Sequence, residues 1–379
     1  MINPASPRDR RVEWIGTTLV VAIGIWYWLQ FFTRSTNLLD EGSTAAQAMR
    51  VLHGDLIYRD FFTVVTPGSY YTVAALFKIF GAHLIVLRWS ALVTGIGILL
   101  ATMIVTRRLT PWPFAAAAGL LTTVWGWFLV TPNFYSLEAA LLSLVALAVY
   151  IHGATTARWL FAAGVCVGMT ALVKQNVGAY TAVALLATIW TSAAIDDHWN
   201  IRERIRRSVL LIGGICVPVI PAVLWLVASG AGPYLYESWV YYPLAKYPQR
   251  FALPYPPLPG MSDVAGVISG RIAEPSNYDV WTHVVLHLPT IIYPLLLIAG
   301  LWHYFSRRRR PGDPSATQRD HALIAVTLAG ICSLLTAWPR ADTTHILFGM
   351  QPTFALLAYA CARIVPDAAT AGRRTFITA

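Results

Sequence analysis

Charge is what this chain has least of. Only 12% of its 379 residues are charged, against 56% hydrophobic, and the mean hydropathy is +0.56. A water-soluble domain carries about a quarter of its residues charged, so this composition excludes a purely soluble globule. Cysteine is sparse as well. Cys166, Cys216, Cys332 and Cys361 all fall in apolar runs, with no Cys-x-x-Cys, which leaves them as small packing residues rather than disulfides or zinc ligands. The chain also lacks an internal inverted repeat of the kind many transporters show. Its first apolar run is followed by Thr33-Arg34-Ser35, without a small-residue cleavage site, and reads as a retained first helix.

What is present is apolar sequence in long runs. A helix needs about 20 apolar residues to cross the hydrocarbon. The runs 14–32, 87–106, 113–131, 136–152, 159–173, 177–194, 208–228, 283–304, 321–338 and 345–364 are read as spans. The expected fold is therefore an all-α polytopic membrane protein with about ten transmembrane helices, treated as a single transmembrane domain over 1–379. The net charge of +10 raises the question of nucleic acid, but its placement answers it. With the N-terminus inside, inward segments hold Arg8, Arg10, Arg11, Arg107, Arg108, Arg158, Arg202, Arg204, Arg206, Arg207, Arg307 to Arg310, Arg319, Arg363, Arg373 and Arg374, which is 18 of the 28 basic residues. That is the positive-inside pattern. Both termini are expected in the cytoplasm, and Arg307 to Arg310 read as a topology anchor rather than a nucleic-acid patch.

Two outward loops exceed a simple connection. The first, 33–86, opens with Asp40-Glu41-Gly42, continues through a short helical stretch from Ser43 to Leu52, and later holds an apolar stretch from Ser69 to Phe80 interrupted by Lys78. Twelve helical residues reach about 18 Å, too little to span, so this second stretch is expected to lie at the interface. The second loop, 229–282, is rich in proline and in aromatics such as Tyr234, Tyr242, Tyr247 and Tyr255. Its prolines are expected to keep it from forming one long helix. Its aromatics suit either a ligand groove or the interfacial belt of a membrane protein.

The polar residues concentrate at the outward rim. Asp40 and Glu41 emerge eight residues past an uncharged span, where a carboxylate is costly and usually kept for chemistry. Lys174-Gln175-Asn176 forms the turn between the fifth and sixth runs, and Arg340, Asp342 and His345 lie between the ninth and tenth. An acid beside cations suits a reaction between an acceptor hydroxyl and a phosphorylated lipid-linked sugar: the carboxylate takes the proton, and the cations hold the phosphate. Singly, each residue also has a plain reading. Lys174 fits a snorkelling lysine, and Arg340-Asp342 fits a structural ion pair.

The order of these motifs resembles a known family. A first span, Asp40-Glu41, Gly54-Asp55-Leu56-Ile57-Tyr58-Arg59-Asp60, Thr66-Pro67-Gly68, Phe80-Gly81 and Arg88 look like the GT-C glycosyltransferases. They are closest to the protein-mannosyltransferase and aminoarabinose-transferase branch, glycosyltransferase family 39 and relatives. Gly164-x-x-x-Gly168 ahead of Lys174-Gln175-Asn176, and Pro339-Arg340-x-Asp342-x-x-His345, are similar to motifs of bacterial members. The resemblance implies Asp40 as catalytic base, Glu41 positioning a substrate and Asp60 as a second acid of the loop. It implies a polyprenyl-phosphate sugar donor and inversion at the anomeric carbon. Arg59, Asp60, Lys174, Gln175, Arg340, Asp342 and His345 are the expected donor- and substrate-binding set. Two departures are noted: 131–136 lacks an acid where some relatives carry a metal- or substrate-binding carboxylate, and no C-terminal extracytoplasmic domain is expected.

No metal is assigned. His283 and His287 are four apart on one helix face, but no Glu follows His283 and no third ligand is near, so they read as interfacial histidines. Nor does a Gly-rich phosphate loop open a helix, which disfavours a nucleotide-sugar donor. The leading expectation is a membrane glycosyltransferase working on the extracytoplasmic face, with a lipid-linked sugar donor, membrane lipid, and a glycan, lipid or protein acceptor as partners. A transporter or lipid flippase, and a scaffold subunit with a degenerate site, are the alternatives.

Overall fold

The computed structural model describes residues 7–33, 40–125, 134–153, 156–192, 200–256, 276–307 and 314–364. The expected positions Arg308 to Arg310, Arg373 and Arg374, the loop stretch 257–275 and residues 131–133 lie outside the described residues. Among the described residues there is no β-strand, only two isolated bridges. In hydrocarbon only a helix satisfies every backbone N–H and C=O within its own segment, and long runs of Leu, Ala, Val and Ile meet that demand here.

Among the described residues six helices are long and apolar enough to cross a membrane, over Arg10–Leu29, Leu84–Arg107, Tyr135–Gly153, Ile201–Ala228, Val280–Ile298 and Gln318–Ala337. They belong to α1 (Pro7–Leu29), α4 (Leu84–Arg107), α6 (Phe134–Gly153), α9 (Ile201–Ala228), α12 (Ser276–Arg307) and α13 (Pro314–Leu334). The other four expected spans correspond to shorter helices: α5 (Trp112–Trp125), α7 (Ala157–Val173), α8 (Gln175–Ser192) and α15 (Gln351–Ile364). The chain is a multi-pass helical membrane protein. α1 and α9 carry the most exposed apolar surface, including Trp14, Leu19, Val209 and Leu224, as expected of lipid-facing helices.

The tightest helix pair is α7 with α9. A Cβ on Gly164 would sit 2.1 Å from the Leu211 carbonyl oxygen, and one on Gly168 would sit 2.6 Å from that of Ile215. Small residues four apart allow two backbones to touch, which is how helices gain packing where water supplies no driving force. Polar side chains are absorbed locally. Thr102, Thr106, Thr122 and Thr170 each donate to the carbonyl four residues back, and the buried Trp28 indole donates to the Thr123 carbonyl at 3.0 Å.

The first loop holds α2 (Asp40–Leu52) and α3 (Gly68–Phe80). Helix α2 already includes the acidic pair, ahead of the expected start at Ser43, and carboxylates in its first described turn complement the helix dipole. α3 does not cross: its first residue abuts Leu172 and Val173 at the end of α7, and Gly81 turns the chain directly into α4 at the same end of the bundle.

The second loop does not form one long helix: helix ends at Phe251, and 252–256, with Pro254 and Pro256, is non-helical. α10 (Gly232–Tyr236), a π-helix over Glu237–Lys246 and α11 (Tyr247–Phe251) follow one another without a break, despite Pro233, Pro243 and Pro248. Pro233 stands in the first turn of α10, where a missing N–H costs nothing, while Pro243 falls in the π-helical turns, a wider geometry often found at functional sites, and Pro248 follows directly after them.

Candidate functional site

α1 crosses from Arg10 and Arg11 to Phe32, and α2 opens at Asp40 on the far side. Glu41 is fully buried there. Arg88, the fifth residue of α4, binds both its carboxylate oxygens, Nε to Oε1 at 2.7 Å and Nη2 to Oε2 at 3.0 Å, and donates from Nη1 to the Phe32 carbonyl at 2.9 Å. One guanidinium thus ties the end of α1 and the starts of α2 and α4 together. The neighbouring carboxylate, Asp40, lines a cavity of about 280 Å³ with Gln47, Val64, Tyr135, Tyr242, Tyr247 and Phe251.

Two distant turns reach the same end of the bundle, where Lys174 and His345 line a second pocket beside Ser136. Lys174 ends α7 in extended backbone, and its Nζ donates to Ser136 Oγ at 2.7 Å, 5.4 Å from the centre of the Tyr135 ring. Burial pulls its ammonium down to about 8, opposed by the charges of Asp40 and Asp342. Gln175, beside it, donates to the Val64 carbonyl on the cavity wall.

The second turn is built around Asp342, which caps α14 (Thr343–Leu347). Its Oδ1 accepts from the His345 backbone at 3.0 Å and meets His345 Nδ1 at 2.7 Å, while Oδ2 accepts from Arg340 Nε at 2.6 Å. Burial works to raise the Asp342 carboxyl, but the His345 hydrogen bonds and the His345 and Arg340 charges outweigh it and bring it to about 2.

The second loop bridges these parts. Leu253 pairs with the 339–341 backbone, its N–H donating to the Pro339 carbonyl and its carbonyl accepting from Ala341, at 3.0 and 3.1 Å. That pairing brings Tyr247 to Arg340, with which it shares a hydrogen bond, and into the field of Asp40 and Asp342. Burial raises the Tyr247 hydroxyl above its ordinary value. Phe62 from the first loop meets Tyr242 edge to face, ring centres 5.1 Å apart, at the cavity wall.

Of the expected set, Asp40, Lys174, Gln175, Arg340, Asp342 and His345 thus gather at one end of the bundle. Only Asp40 of the set lines the cavity of about 280 Å³; Lys174 and His345 line the separate pocket with Ser136, and Gln175, Arg340, Asp342, Arg59 and Asp60 line neither. Arg59 binds both oxygens of Asp60 at 2.9 and 2.8 Å and the Ser229 carbonyl at 3.1 Å, and Asp60 accepts from the Leu56 N–H at 2.7 Å. The Arg59 and Leu56 hydrogen bonds hold the Asp60 carboxyl down at about 2.

Glu138 and Ser136 escaped the sequence reading, and Arg88 stood in the motif order without an assigned partner. Glu138 lies two residues past the stretch noted for having no acid, in the first turns of α6, where it accepts a hydrogen bond from Ser69. Its signal was an acid inside an apolar run, which is expensive unless used. The part of Ser136 as the Lys174 partner and the hold of Arg88 on Glu41 have no signature in the local sequence. His283 and His287 are engaged within their own helix, His287 Nδ1 lying 2.8 Å from the His283 carbonyl. Among the described residues no three His, Cys, Asp or Glu side chains gather as a metal site.

No protein-family model matches the chain, and no curated protein matches it. Solved structures do. The oligosaccharyltransferase AglB from Archaeoglobus fulgidus, in complex with an inhibitory peptide and a dolichol-phosphate, superposes with a TM-score of 0.62 over 99% of this chain at 13% identity. ArnT from Cupriavidus metallidurans, bound to undecaprenyl phosphate, superposes at 0.58 over 96% of this chain at 15% identity. Both are GT-C glycosyltransferases. The fold is the GT-C fold. The chain spans 52% of the AglB chain and 62% of the ArnT chain. At this identity the GT-C likeness concerns the path of the helices, and the part each side chain plays rests on the geometry above.

Proposed function

We propose that this GT-C protein transfers a sugar from a polyprenyl-phosphate donor to an acceptor hydroxyl on the extracytoplasmic face, with Asp40 as general base. The observation that carries the reading is the position of Asp40: it lines a cavity of about 280 Å³ and shares its electrostatic surroundings with Lys174, Tyr247 and Asp342. The acceptor oxygen attacks the anomeric carbon and its proton passes to Asp40. The bond from that carbon to the phosphate oxygen breaks, and the polyprenyl phosphate leaves with the electron pair. Lys174 and Arg340 neutralise the charge that gathers on the phosphate. Attack opposite the leaving group inverts the anomeric centre.

The dolichol-phosphate and undecaprenyl phosphate in the two matched structures support a donor of the same class. Gln47, in the cavity wall, carries a buried side-chain oxygen with no protein partner, an acceptor for a hydroxyl of a bound sugar. Glu41, held by Arg88, sets the start of α2 and so the position of Asp40. Arg59 and Asp60 brace the first loop against the end of α9.

The deciding experiment is transfer by purified protein in detergent, supplied with polyprenyl-phosphate sugar and no membrane gradient. Asp40→Asn is expected to lower turnover by roughly 10²–10⁴-fold, the usual worth of a general base, with unfolding temperature unchanged. Wild-type turnover in that variant would sink the assignment of Asp40.

A further inference from the structure

Another cavity lies at the opposite end of the bundle from Asp40. It has a volume of about 510 Å³ and is walled by Glu13 of α1, Arg107 at the end of α4, Thr110, Trp112 of α5, and Arg319 near the start of α13. α1 runs about 1.5 Å per residue, so its 23 residues put this recess some 30 Å from the proposed catalytic end. Nothing in the transfer chemistry uses it.

Its walls are held in place by their own bonds. Arg107 Nη2 donates to Glu13 Oε1 at 2.7 Å, and Nη1 donates to the Thr110 carbonyl at 3.2 Å. The Trp112 indole lies across Gly16, with Nε1 donating to Thr17 Oγ1 at 3.2 Å. Glu13 is thereby spent on Arg107, and Arg319 is exposed and makes no ion pair among the described residues. Two guanidinium groups therefore face one carboxylate. Arg10, Arg11 and Arg108, all exposed, stand at the same end. The recess opens where polar sequence gives way to the bare apolar flank of α1, with Trp14 73% and Leu19 58% exposed.

We infer that this recess binds the phosphodiester headgroup of an anionic phospholipid, with Arg319 and Arg107 on the phosphate and the acyl chains laid along α1. Guanidinium forks match phosphate oxygens in geometry and charge, and basic recesses between transmembrane helices at the headgroup level hold anionic lipids by this means. A zwitterionic lipid carries its own cation and gains less from the pair. Free phosphate has no chains to cover the flank of α1. The recess is on the other face from the transfer site, so its occupancy and the sugar-transfer reading stand or fall separately.

The test uses the full-length protein in neutral detergent, with phosphatidylglycerol, phosphatidylcholine and inorganic phosphate added in turn. Phosphatidylglycerol is expected to raise the unfolding midpoint by roughly 2–4 °C or more, while the other two leave it nearly still. Native mass spectrometry of the wild type should retain phosphatidylglycerol in preference to phosphatidylcholine, a readout that needs no variant. Arg319→Gln should remove at least half of the shift, and Arg108→Gln, at a residue engaged instead with His152, should preserve it. An equal shift from phosphatidylcholine or from inorganic phosphate, or a full phosphatidylglycerol shift in Arg319→Gln, would overturn the site.

Discussion

Arg88 holds both carboxylate oxygens of Glu41, at 2.7 and 3.0 Å, with Glu41 fully sealed from solvent. Of two adjacent acids, then, one is spent on joining helices while its neighbour lines the cavity. Breaking such a pair from one side leaves a buried charge alone and costs about 3–5 kcal/mol. Arg88→Met is therefore expected to lower the thermal midpoint sharply in detergent. The double variant Glu41→Gln with Arg88→Met should recover much of that loss. Equal loss in single and double variants would show that the pair contributes only through packing.

Lys174 supplies a pH dependence. Burial brings its ammonium to about 8, so the charged form that would hold a phosphate predominates below that pH and fades above it. The sign is fixed: kcat/KM is expected to fall as pH rises through about 8. Lys174→Arg keeps its charge throughout this range and should flatten the alkaline limb, even if its maximum is lower. An alkaline limb identical in both proteins would assign the titration to another group.

Tyr247 shares its hydroxyl with Arg340. A hydrogen bond to a charged group is worth about 1.5–3 kcal/mol. If Arg340 grips the donor phosphate in the ground state, Tyr247→Phe should raise the donor KM by roughly tenfold or more and leave kcat close to wild type. A fall in kcat at constant KM would place the Arg340 contact in the transition state instead.

The α7–α9 contact offers a stability test remote from the site. Gly164→Ala drives a methyl group toward the Leu211 carbonyl, 2.1 Å away, and overpacking of this kind costs about 1–3 kcal/mol. Gly213→Ala meets only the edge of Phe161, at 3.9 Å, and should be neutral or slightly stabilising. Thermal unfolding of the two variants side by side reads out the difference.

Much of the fold is legible residue by residue. Hydropathy places the spans, and arginine placement sorts the turns into two sets. The structure puts Lys174, Gln175, Arg340 and Asp342 at the Asp40 end, and Glu13, Arg107 and Arg319 at the other. The second loop was less legible. Its prolines do prevent one long helix, which ends ahead of Pro254 and Pro256, but which of them would sit inside helical turns, as Pro243 does, has no local signature. Glu138 was overlooked because it falls inside a run that averages as apolar.

The sequence by itself determined that this is a multi-pass helical membrane protein. Transfer into lipid is a property of each residue and its near neighbours, so it can be summed along the chain. Only the tertiary structure decided which acid of Asp40-Glu41 lines the cavity, that Arg59 is bound to Asp60, and that Leu253 delivers Tyr247 to Arg340. Those are choices of partner, made between side chains 47 residues apart for Glu41 and Arg88, and 38 for Lys174 and Ser136. Packing brings such groups within the few ångströms over which hydrogen bonds form, and no local pattern encodes it.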